Sequence, residues 1–373
     1  MIKVCHIITR LDRGGAPDIA RLLAQRLDPQ RFSATLIYGW TREPSERTRR
    51  FLEQARDGAV LVPSLRRSIN PLRDACAYRS LSDILRRERF DIVHTHTAKA
   101  GVLGRIAARR AGVPVVVHSP HGHDFYGYFG ALGSSLVVRA ERIAARYCDR
   151  IVVSTRLERE DMLAYRICPA AKIRVIPGGV AVPVDIPARR PAGDVCVGFL
   201  GRLEPVKGPE FFIEAAARIA PAAPRVRFLV AGDGSMRRYL EERSRALGLL
   251  DRIEFAGWVE DAQACLQRMD VLVVPSRNEA VGRVILEAAG RGIPAVAARV
   301  GGIPEVVREE ETGLLVAPGD AAGIAAAVLR LVGDGDLRAQ MGARAHDWTK
   351  KEFSEEKMLA AFEQLYAESA HEA

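Results

Sequence analysis

Residues 195–234 read VCVGFLGRLEPVKGPEFFIEAAARIAPAAPRVRFLVAGDG and contain a full strand–turn–helix–strand unit. The pattern predicts apolar strands over Val195–Leu200 and Val226–Ala231, with a helix over Gly208–Ala220 between them. Apolar strands that alternate with helices form parallel sheets, whose two faces the helices cover. The segment therefore predicts an α/β domain built on a doubly wound parallel sheet.

The same alternation runs through the chain twice. The other predicted strands are Ile2–Ile8, Ala34–Tyr38, Ala59–Val62, Asp91–Thr95, Pro114–His118, Arg150–Ser154, Arg252–Ala256, Val271–Val274, Pro294–Ala298 and Gly313–Val316. A stretch rich in Pro, Ala and Arg, Pro183–Gly193, separates the two runs and is typical of a linker. We expect two Rossmann-like doubly wound domains, residues 1–185 and 186–354, followed by a helix of about residues 355–373.

Composition and charge narrow the class of protein. The 373 residues are 48% hydrophobic, enough for two cores, and no apolar run is long enough to span a bilayer. The first strand is a poor secretion signal because His6 interrupts it. Six scattered cysteines without a CxxC pair indicate reduced thiols in a cytosolic protein.

The basic residues are concentrated in the first half. Residues 1–190 contain 33 Lys and Arg against 18 Asp and Glu, a net charge of +15, which leaves −6 for the remainder. This asymmetry indicates an anionic partner of the first half, either nucleic acid, a membrane surface or a phosphorylated acceptor. An ordinary set of solvated arginine-rich faces is the alternative.

Ligands of open α/β sheets bind at the carboxyl ends of the strands, so the turns there are the candidate sites. One turn, Gly201 to Gly208, combines Arg202 and Lys207 with the start of a helix, three features that favour a diphosphate. Gly14 and Gly15 lie in the first turn, which is not a GxGxxG fingerprint, and Gly232 lies in a Gly-Asp-Gly turn. These two turns would admit a ligand, but plain tight turns are equally compatible with the pattern.

A third turn carries two carboxylates. Glu279 precedes a predicted helix that starts near Gly282, and Glu287 lies inside that helix. Two carboxylates placed in this way can each hold a pair of sugar hydroxyls, while the free backbone N–H groups over Val281, Gly282, Arg283 and Val284 would face the same ligand. A surface role for Glu287 is the alternative.

Histidines follow the strands of the first half: His94, His96, His118, His121 and His123, with Asp124 beside them. They would suit either zinc or the positioning of a polar ligand, and we favour the second. Asp334-Gly-Asp336 resembles a metal-binding motif but reads as a loop between helices. We therefore predict no metal site and no cofactor.

An aromatic loop and a basic helix follow the histidines. The loop contains Tyr126 and Tyr128, and the helix carries Arg139, Arg142 and Arg146 among apolar residues. Apolar tips beside arginines suit a membrane interface, and a helix that packs on the sheet is the alternative.

In chain order, the motifs together resemble those of the family 4 glycosyltransferases, which are retaining enzymes of the GT-B fold. The resemblance covers nearly the whole chain and rests on Gly14-Gly15, the segment His94 to Arg105, the turn Gly201 to Gly208, Glu279 with Glu287 (the EX7E pattern), Gly301 to Glu305 and Thr312 to Asp320. It implies that the two domains face a central cleft and that the last helix returns to the first domain. The sequence departs from the family at Gly178, where Asn is common, and at Val281, where an aromatic residue is common.

By resemblance, Arg202 and Lys207 bind the donor diphosphate, Glu279 holds the transferred sugar, Glu287 holds the ribose, and His121 lies near the reacting centre. The donor-binding set is Gly14, Gly15, Gly201, Arg202, Lys207, Gly232, Glu279, Val281, Gly282, Arg283, Val284 and Glu287. The expected contacts with the acceptor or membrane are Lys99, Tyr126, Tyr128, Arg139 and Arg142.

The resemblance implies a metal-independent, retaining transferase that uses a nucleotide sugar, with UDP expected from family frequency. Its acceptor would be a lipid-linked saccharide of cell-surface polysaccharide synthesis, reached from the cytoplasmic face of an anionic membrane. An epimerase of the same fold and a non-catalytic sugar-nucleotide-binding subunit are the alternatives. A nucleic-acid binder is disfavoured because it leaves Glu279 and Glu287 without a role.

Overall fold

The computed structural model describes residues 1–12, 14–41, 44–55, 58–122, 131–187 and 194–372. The chain divides into two compact units. The first contains Met1–Pro177 and the residues from Glu356 onward, and the second is Gly178–Glu355. Each unit has its own parallel sheet with helices on it.

The first unit is built on a seven-stranded sheet of order β3-β2-β1-β4-β5-β6-β7, in which neighbouring strands run parallel. Its strands are β1 Ile2–Ile8, β2 Phe32–Gly39, β3 Ala59–Val62, β4 Ile92–His96, β5 Val115–Ser119, β6 Arg150–Val153 and β7 Ile173–Val175. Its helices are α1 Gly15–Arg26, α2 Glu46–Ala55, α3 Pro71–Glu88, α4 Ala98–Arg110, α5 Ala131–Ala144, α6 Arg156–Ala164 and, from the far end of the chain, α14 Glu355–His371.

The second unit has a six-stranded parallel sheet of order β10-β9-β8-β11-β12-β13. Its strands are β8 Cys196–Leu200, β9 Arg227–Ala231, β10 Ile253–Gly257, β11 Val271–Val274, β12 Ala295–Ala298 and β13 Gly313–Val316. Its helices are α7 Pro209–Ala222, α8 Arg237–Ala246, α9 Ala262–Leu266, α10 Arg283–Ala289, α11 Ile303–Val306, α12 Ala321–Gly333 and α13 Gly335–Glu352. The prediction of two α/β units with parallel sheets is confirmed.

One local difference from the sequence-based expectation has a simple cause. The pattern missed β7, because three residues with Arg174 in the middle are too short to show a strand period. At the C-terminal end, α13 ends at Glu352, Phe353 is buried, and α14 begins at Glu355.

Both faces of the first sheet are covered. One face packs against α3 and α4 through a cluster that includes Ile7, Val93 and Val116. The other face packs against α14, whose buried residues are Met358, Leu359, Phe362, Leu365, Tyr366 and Ser369. The first unit therefore contains chain segments separated by the whole of the second unit.

Candidate functional site

Three loops at the carboxyl ends of β8, β9 and β11 lie against one another in the second unit. Gly232, at φ +139°, leaves no room for a side chain, because a Cβ there would lie 1.8 Å from the carbonyl oxygen of Gly201. The Leu203 N–H donates to the Asp233 carbonyl at 2.9 Å, and the Arg277 N–H donates to Val206 at 2.8 Å. Three of the turns singled out from the sequence, those with Arg202, Gly232 and Glu279, thus lie at one edge of the second sheet.

Lys207 and Glu279 meet at this edge. The Lys207 ammonium forms an ion pair with Glu279 Oε1, and the Ser276 hydroxyl donates to the same oxygen at 3.1 Å. The Gly302 N–H binds the Glu279 carbonyl at 3.1 Å, and a Cβ at Gly301 would lie 1.7 Å from that oxygen. Glu279 is therefore held at its backbone and its side chain, and its charge compensates that of Lys207.

Arg202 is exposed in the same turn. Within the described ranges of the chain, no carboxylate forms an ion pair with its guanidinium. Nearby, the pKa of Glu204 is lowered, chiefly by the hydroxyl and the backbone N–H of Ser235, with the charge of Arg202 as a smaller contribution. The edge therefore presents a guanidinium that can accept an added anion.

The helix after Glu279 starts as the sequence predicted. Gly282, at φ +71°, is the N-cap of α10, and the Ile285 N–H donates to its carbonyl at 2.7 Å. Arg283 Nε donates to Glu287 Oε1 at 2.9 Å, and Arg283 Nη1 donates to the Gly179 carbonyl at 3.3 Å. Glu287 is mostly buried, and Val281 and Val284 pack on the core.

The other predicted site residues lie in the first unit. Gly14 is the exposed N-cap of α1, which begins at Gly15. Lys99 is bound by Asp74 at 2.5 Å and by the Ser68 carbonyl. Tyr126, Tyr128 and His123 lie outside the described residues.

Helix α5 carries an exposed apolar stripe. Leu132 is 78% exposed, Leu136 59% and Ile143 53%, and their spacing places them on one side of the helix. Arg139, seven residues after Leu132, is exposed on the same side. Arg142 instead binds the Tyr165 carbonyl through Nε at 2.9 Å and Nη2 at 2.7 Å.

Four histidines of the first unit meet at the carboxyl ends of β1, β4 and β5. His6 lies beside His94 in the register of the sheet, and His96 shares the face of His94 because side chains alternate along a strand. His6 Nδ1 lies 3.1 Å from His96 Nε2, and His96 Nδ1 lies 2.8 Å from His121 Nε2. The sequence pattern did not single out His6 as a site residue; its strand lies next to β4 in the sheet.

Two hydroxyls complete this cluster. His94 Nδ1 lies 2.6 Å from the Tyr366 hydroxyl of α14, and His94 Nε2 lies 2.8 Å from Ser119 Oγ. His118 belongs to the opposite face of the sheet, where its Nδ1 lies 3.0 Å from Thr95 Oγ1 and its ring packs on Gly101 of α4. Of these histidines, only His121 is partly exposed.

Burial keeps the cluster neutral. It lowers the pKa of His121 to about 4 and that of His6 to about 3. Burial also lowers the pKa values of His94 and His96, to which the neighbouring histidines add a smaller effect. At neutral pH each ring therefore has one N–H and one lone pair.

One candidate for a metal site lies within this cluster. The ring nitrogens of His6, His94 and His96 lie within 4.8 Å of one another. Hydrogen bonds already engage every ring nitrogen of the three except His6 Nε2, so an ion would have to displace several of them. The second metal-like motif has a local role, because Asp334 accepts from the Leu337 N–H at 2.8 Å and caps α13.

Comparison with known proteins gives matches over both units. The family profile described as Glycosyltransferase Family 4 matches residues 13–182, and the one described as Glycosyl transferases group 1 matches residues 194–334. The UDP-Gal:alpha-D-GlcNAc-diphosphoundecaprenol alpha-1,3-galactosyltransferase of Escherichia coli is 33% identical over 291 residues, covering 74% of this chain and 75% of that protein. A D-inositol 3-phosphate glycosyltransferase of Acidothermus cellulolyticus is 36% identical over 286 residues, covering 69% of this chain and 63% of that protein.

Among solved structures, Anabaena HepE in complex with UDP has a TM-score of 0.80 at 22% identity, with 100% of both chains covered. This likeness extends the agreement in fold over the full length of the chain. Each helix in the described ranges is too short or too polar to span a bilayer.

Proposed function

This chain belongs to the family 4 glycosyltransferases and has their GT-B fold, and from that premise we propose that it is a retaining, metal-independent enzyme that uses a UDP-sugar. The observation that carries the proposal is the edge formed by Arg202, Lys207 and Glu279 in the second unit. UDP is supported by the E. coli relative, whose name specifies UDP-Gal, and by HepE, which was solved with UDP.

The chemistry requires stabilisation of the negative charge that develops on the departing diphosphate. Helix α7 starts at this edge with Gly208 as N-cap and without a side-chain cap; its first residue, Pro209, has no N–H, so the Glu210 N–H is the first that can bind a phosphate oxygen. Arg202 and Lys207 add two positive charges beside that helix start. In the proposed reaction the acceptor hydroxyl forms the new bond to the anomeric carbon, the bond to the diphosphate breaks, and the departing phosphate oxygen takes the hydroxyl proton.

The ion pair between Lys207 and Glu279 suits such a donor. Without a donor, Glu279 compensates the Lys207 charge. When a diphosphate binds, its negative charge compensates that of Lys207 instead. The Glu279 carboxylate can then accept hydrogen bonds from the hydroxyls of the transferred sugar. Glu287 would hold the ribose, with Arg283 fixing its orientation. These cations supply the charge that Mg²⁺ supplies in other transferases, which is the reason for proposing metal independence and no cofactor.

We propose a lipid-linked saccharide as the acceptor and the cytoplasmic face of an anionic membrane as the location. The name of the E. coli relative specifies a diphosphoundecaprenol acceptor. The exposed stripe of Leu132, Leu136 and Ile143, with Arg139 on the same side, suits a bilayer interface. The net charge of +15 over residues 1–190 adds attraction to anionic lipids. We also propose that Lys99, Tyr126 and Tyr128 contact the acceptor, and that nucleic acid is not a partner.

The decisive experiment combines a donor panel with two variants. UDP-, GDP- and ADP-sugars are compared by thermal shift, where a ligand at 100 times its Kd stabilises the protein by about 2.7 kcal/mol. With the cognate donor, Arg202→Ala and Lys207→Ala should each lower turnover on the order of 100-fold, as loss of an oxyanion donor does. Arg238→Ala is the matched control, since Arg238 is 91% exposed and its ion pair among the described residues is with Glu242 on its own helix.

Full turnover in either variant would contradict the assignment of the diphosphate site. Product analysis with and without an acceptor separates a transferase from an epimerase, because only the epimerase isomerises the intact nucleotide sugar. A protein that binds the donor but neither transfers nor isomerises it would be a non-catalytic subunit.

A further inference from the structure

His121, His96 and His6 form a continuous line of hydrogen-bonded imidazoles. The line runs from His121 Nε2 to His96 Nδ1 at 2.8 Å, and from His96 Nε2 to His6 Nδ1 at 3.1 Å. His96 and His6 are fully buried, and His121 is partly exposed at one end. At the other end, His6 Nε2 is buried without a hydrogen-bond partner among the described residues.

Each contact between two ring nitrogens needs one N–H and one lone pair. A neutral imidazole has one of each, so choosing the tautomer of one ring fixes the next. Only two arrangements satisfy both contacts of this line. In one, all three rings carry the hydrogen on Nδ1; in the other, all three carry it on Nε2. The rings therefore change tautomer together or not at all.

The buried end distinguishes the two arrangements. The Nε2–H arrangement leaves an N–H of His6 unpaired in the core, whereas the Nδ1–H arrangement leaves a lone pair there. Buried N–H groups without an acceptor are rarer in proteins than under-satisfied acceptors. His118 gives a local precedent, since its Nδ1 lies 3.2 Å from the Thr95 carbonyl, which can only accept, and its buried Nε2 is left as a lone pair.

The backbone at the exposed end is also fixed. His121 has φ +58°, a conformation uncommon for a residue with a side chain. The next residue, Gly122, donates its N–H to Glu158 Oε1 at 3.1 Å, and Glu158 Oε2 accepts from the Ser154 N–H at 2.8 Å. The ring that ends the line is thus anchored through its neighbour as well as through His96.

We propose that His6 and His96 are positioning residues that hold His121 as the Nδ1–H tautomer, so that His121 presents a hydrogen-bond donor to an oxygen of a substrate bound at the carboxyl edge of the first sheet. The identity of that ligand rests on the proposed function, whereas the tautomer does not. A phosphate or hydroxyl oxygen accepts from such an N–H, and a ligand N–H or ammonium group would be rejected. His6 acts at a distance, with no contact to substrate.

The direct test is nitrogen NMR of the full chain with ¹⁵N-labelled histidine, in which two-bond couplings identify the tautomer of each ring. Single histidine variants assign the signals, and His118 is the internal reference for an Nδ1–H ring. We expect His6, His96 and His121 to show the Nδ1–H pattern at pH 7.5. An Nε2–H pattern at His121, a mixture of tautomers, or zinc bound to these rings would overturn the proposal.

Two variants test the role of His6. Asn carries an N–H at the position of imidazole Nδ1, whereas Leu has a similar size without a donor. His6→Leu should give a mixture of tautomers at His121 and lower kcat about tenfold with little change in KM. His6→Asn should restore the Nδ1–H tautomer of His121 and return kcat to within about threefold of the parent value. The proposal would be overturned if His6→Leu and His6→Asn, at matched Tm, showed the same His121 tautomers and the same kcat. If the tautomer is as expected but no nucleotide sugar binds, the proposed function fails and the inference about the line stands.

Discussion

The buried ion pair between α4 and α5 makes the stability of the first unit depend on one carboxylate. Arg105 is completely buried, and its Nη2 lies 2.8 Å from Oε2 of Glu141, whose side chain is 10% exposed. Its Nε donates to the Gly101 carbonyl at 2.7 Å, so the guanidinium cannot swing out to solvent without breaking this bond too. Replacing Glu141 by Leu keeps the volume but leaves the buried positive charge without its partner.

Loss of one partner of a buried pair costs about 3–5 kcal/mol, because the remaining charge stays desolvated. With a urea m-value of about 2 kcal/mol per molar, Glu141→Leu should lower the unfolding midpoint of the first unit by roughly 1.5–2.5 M. Hydrogen exchange measured by mass spectrometry through a urea series reads this midpoint on peptides from α4 and α5, separately from the second unit.

Two control variants complete this experiment. Removing both charges, as in Arg105→Met with Glu141→Leu, should recover most of the lost stability, since an apolar pair replaces the ionic one. Glu46→Ala removes an exposed pair with Arg50, whose side chain is 71% exposed, and should cost less than about 0.5 kcal/mol. The reasoning would be refuted if Glu141→Leu were as stable as Glu46→Ala. It would also be refuted if the double variant were no more stable than Glu141→Leu.

Three further outcomes are expected. Because the pKa values of His6 and His121 are lowered in the folded protein, the unfolded chain binds more protons than the folded one below about pH 6.5. The Tm should therefore fall from pH 7 to 5, and each histidine lowers the free energy of unfolding by up to about 1.4 kcal/mol per pH unit. A Tm independent of pH would contradict this. Arg139→Gln with Arg146→Gln should weaken binding to anionic liposomes by about 2 kcal/mol at low salt, with no effect on neutral vesicles, and sedimentation measures both. Transfer activity should survive excess EDTA. Loss of activity in EDTA, with restoration by Mn²⁺, would show that a metal is needed.

The fold and the location of the candidate turns were predictable because their signals are local. Apolar strands appear as runs in the sequence, and parallel strands bring their following turns to one edge, where Lys207 and Glu279 form their ion pair. Ser276, which shares a carboxylate oxygen with Lys207, was not identified, since a serine before a turn has no distinctive spacing.

The histidine line and the buried ion pair were not predictable in the same way. His6 stands in the middle of an apolar strand and contacts His96, 90 residues later, through a register that no periodicity reveals. Glu141 lies between Arg139 and Arg142 and reads as one more surface charge of a basic helix, although it is buried against Arg105. Both features depend on contacts between distant elements, which only the assembled sheet and helices specify.

The position of α14 also bears on how the protein is made. On the ribosome, β1 to β7 emerge first, but the sheet face around Val4, Ile92 and Val117, to which α1 also packs, lacks the cover of α14 until residues 356–372 follow. Gly178–Glu355 is continuous and can fold as soon as it clears the exit tunnel, so the second unit is completed before the first. During that interval the nascent chain exposes an apolar sheet face, which makes this face a target for chaperones and makes translation speed through the second unit matter for yield.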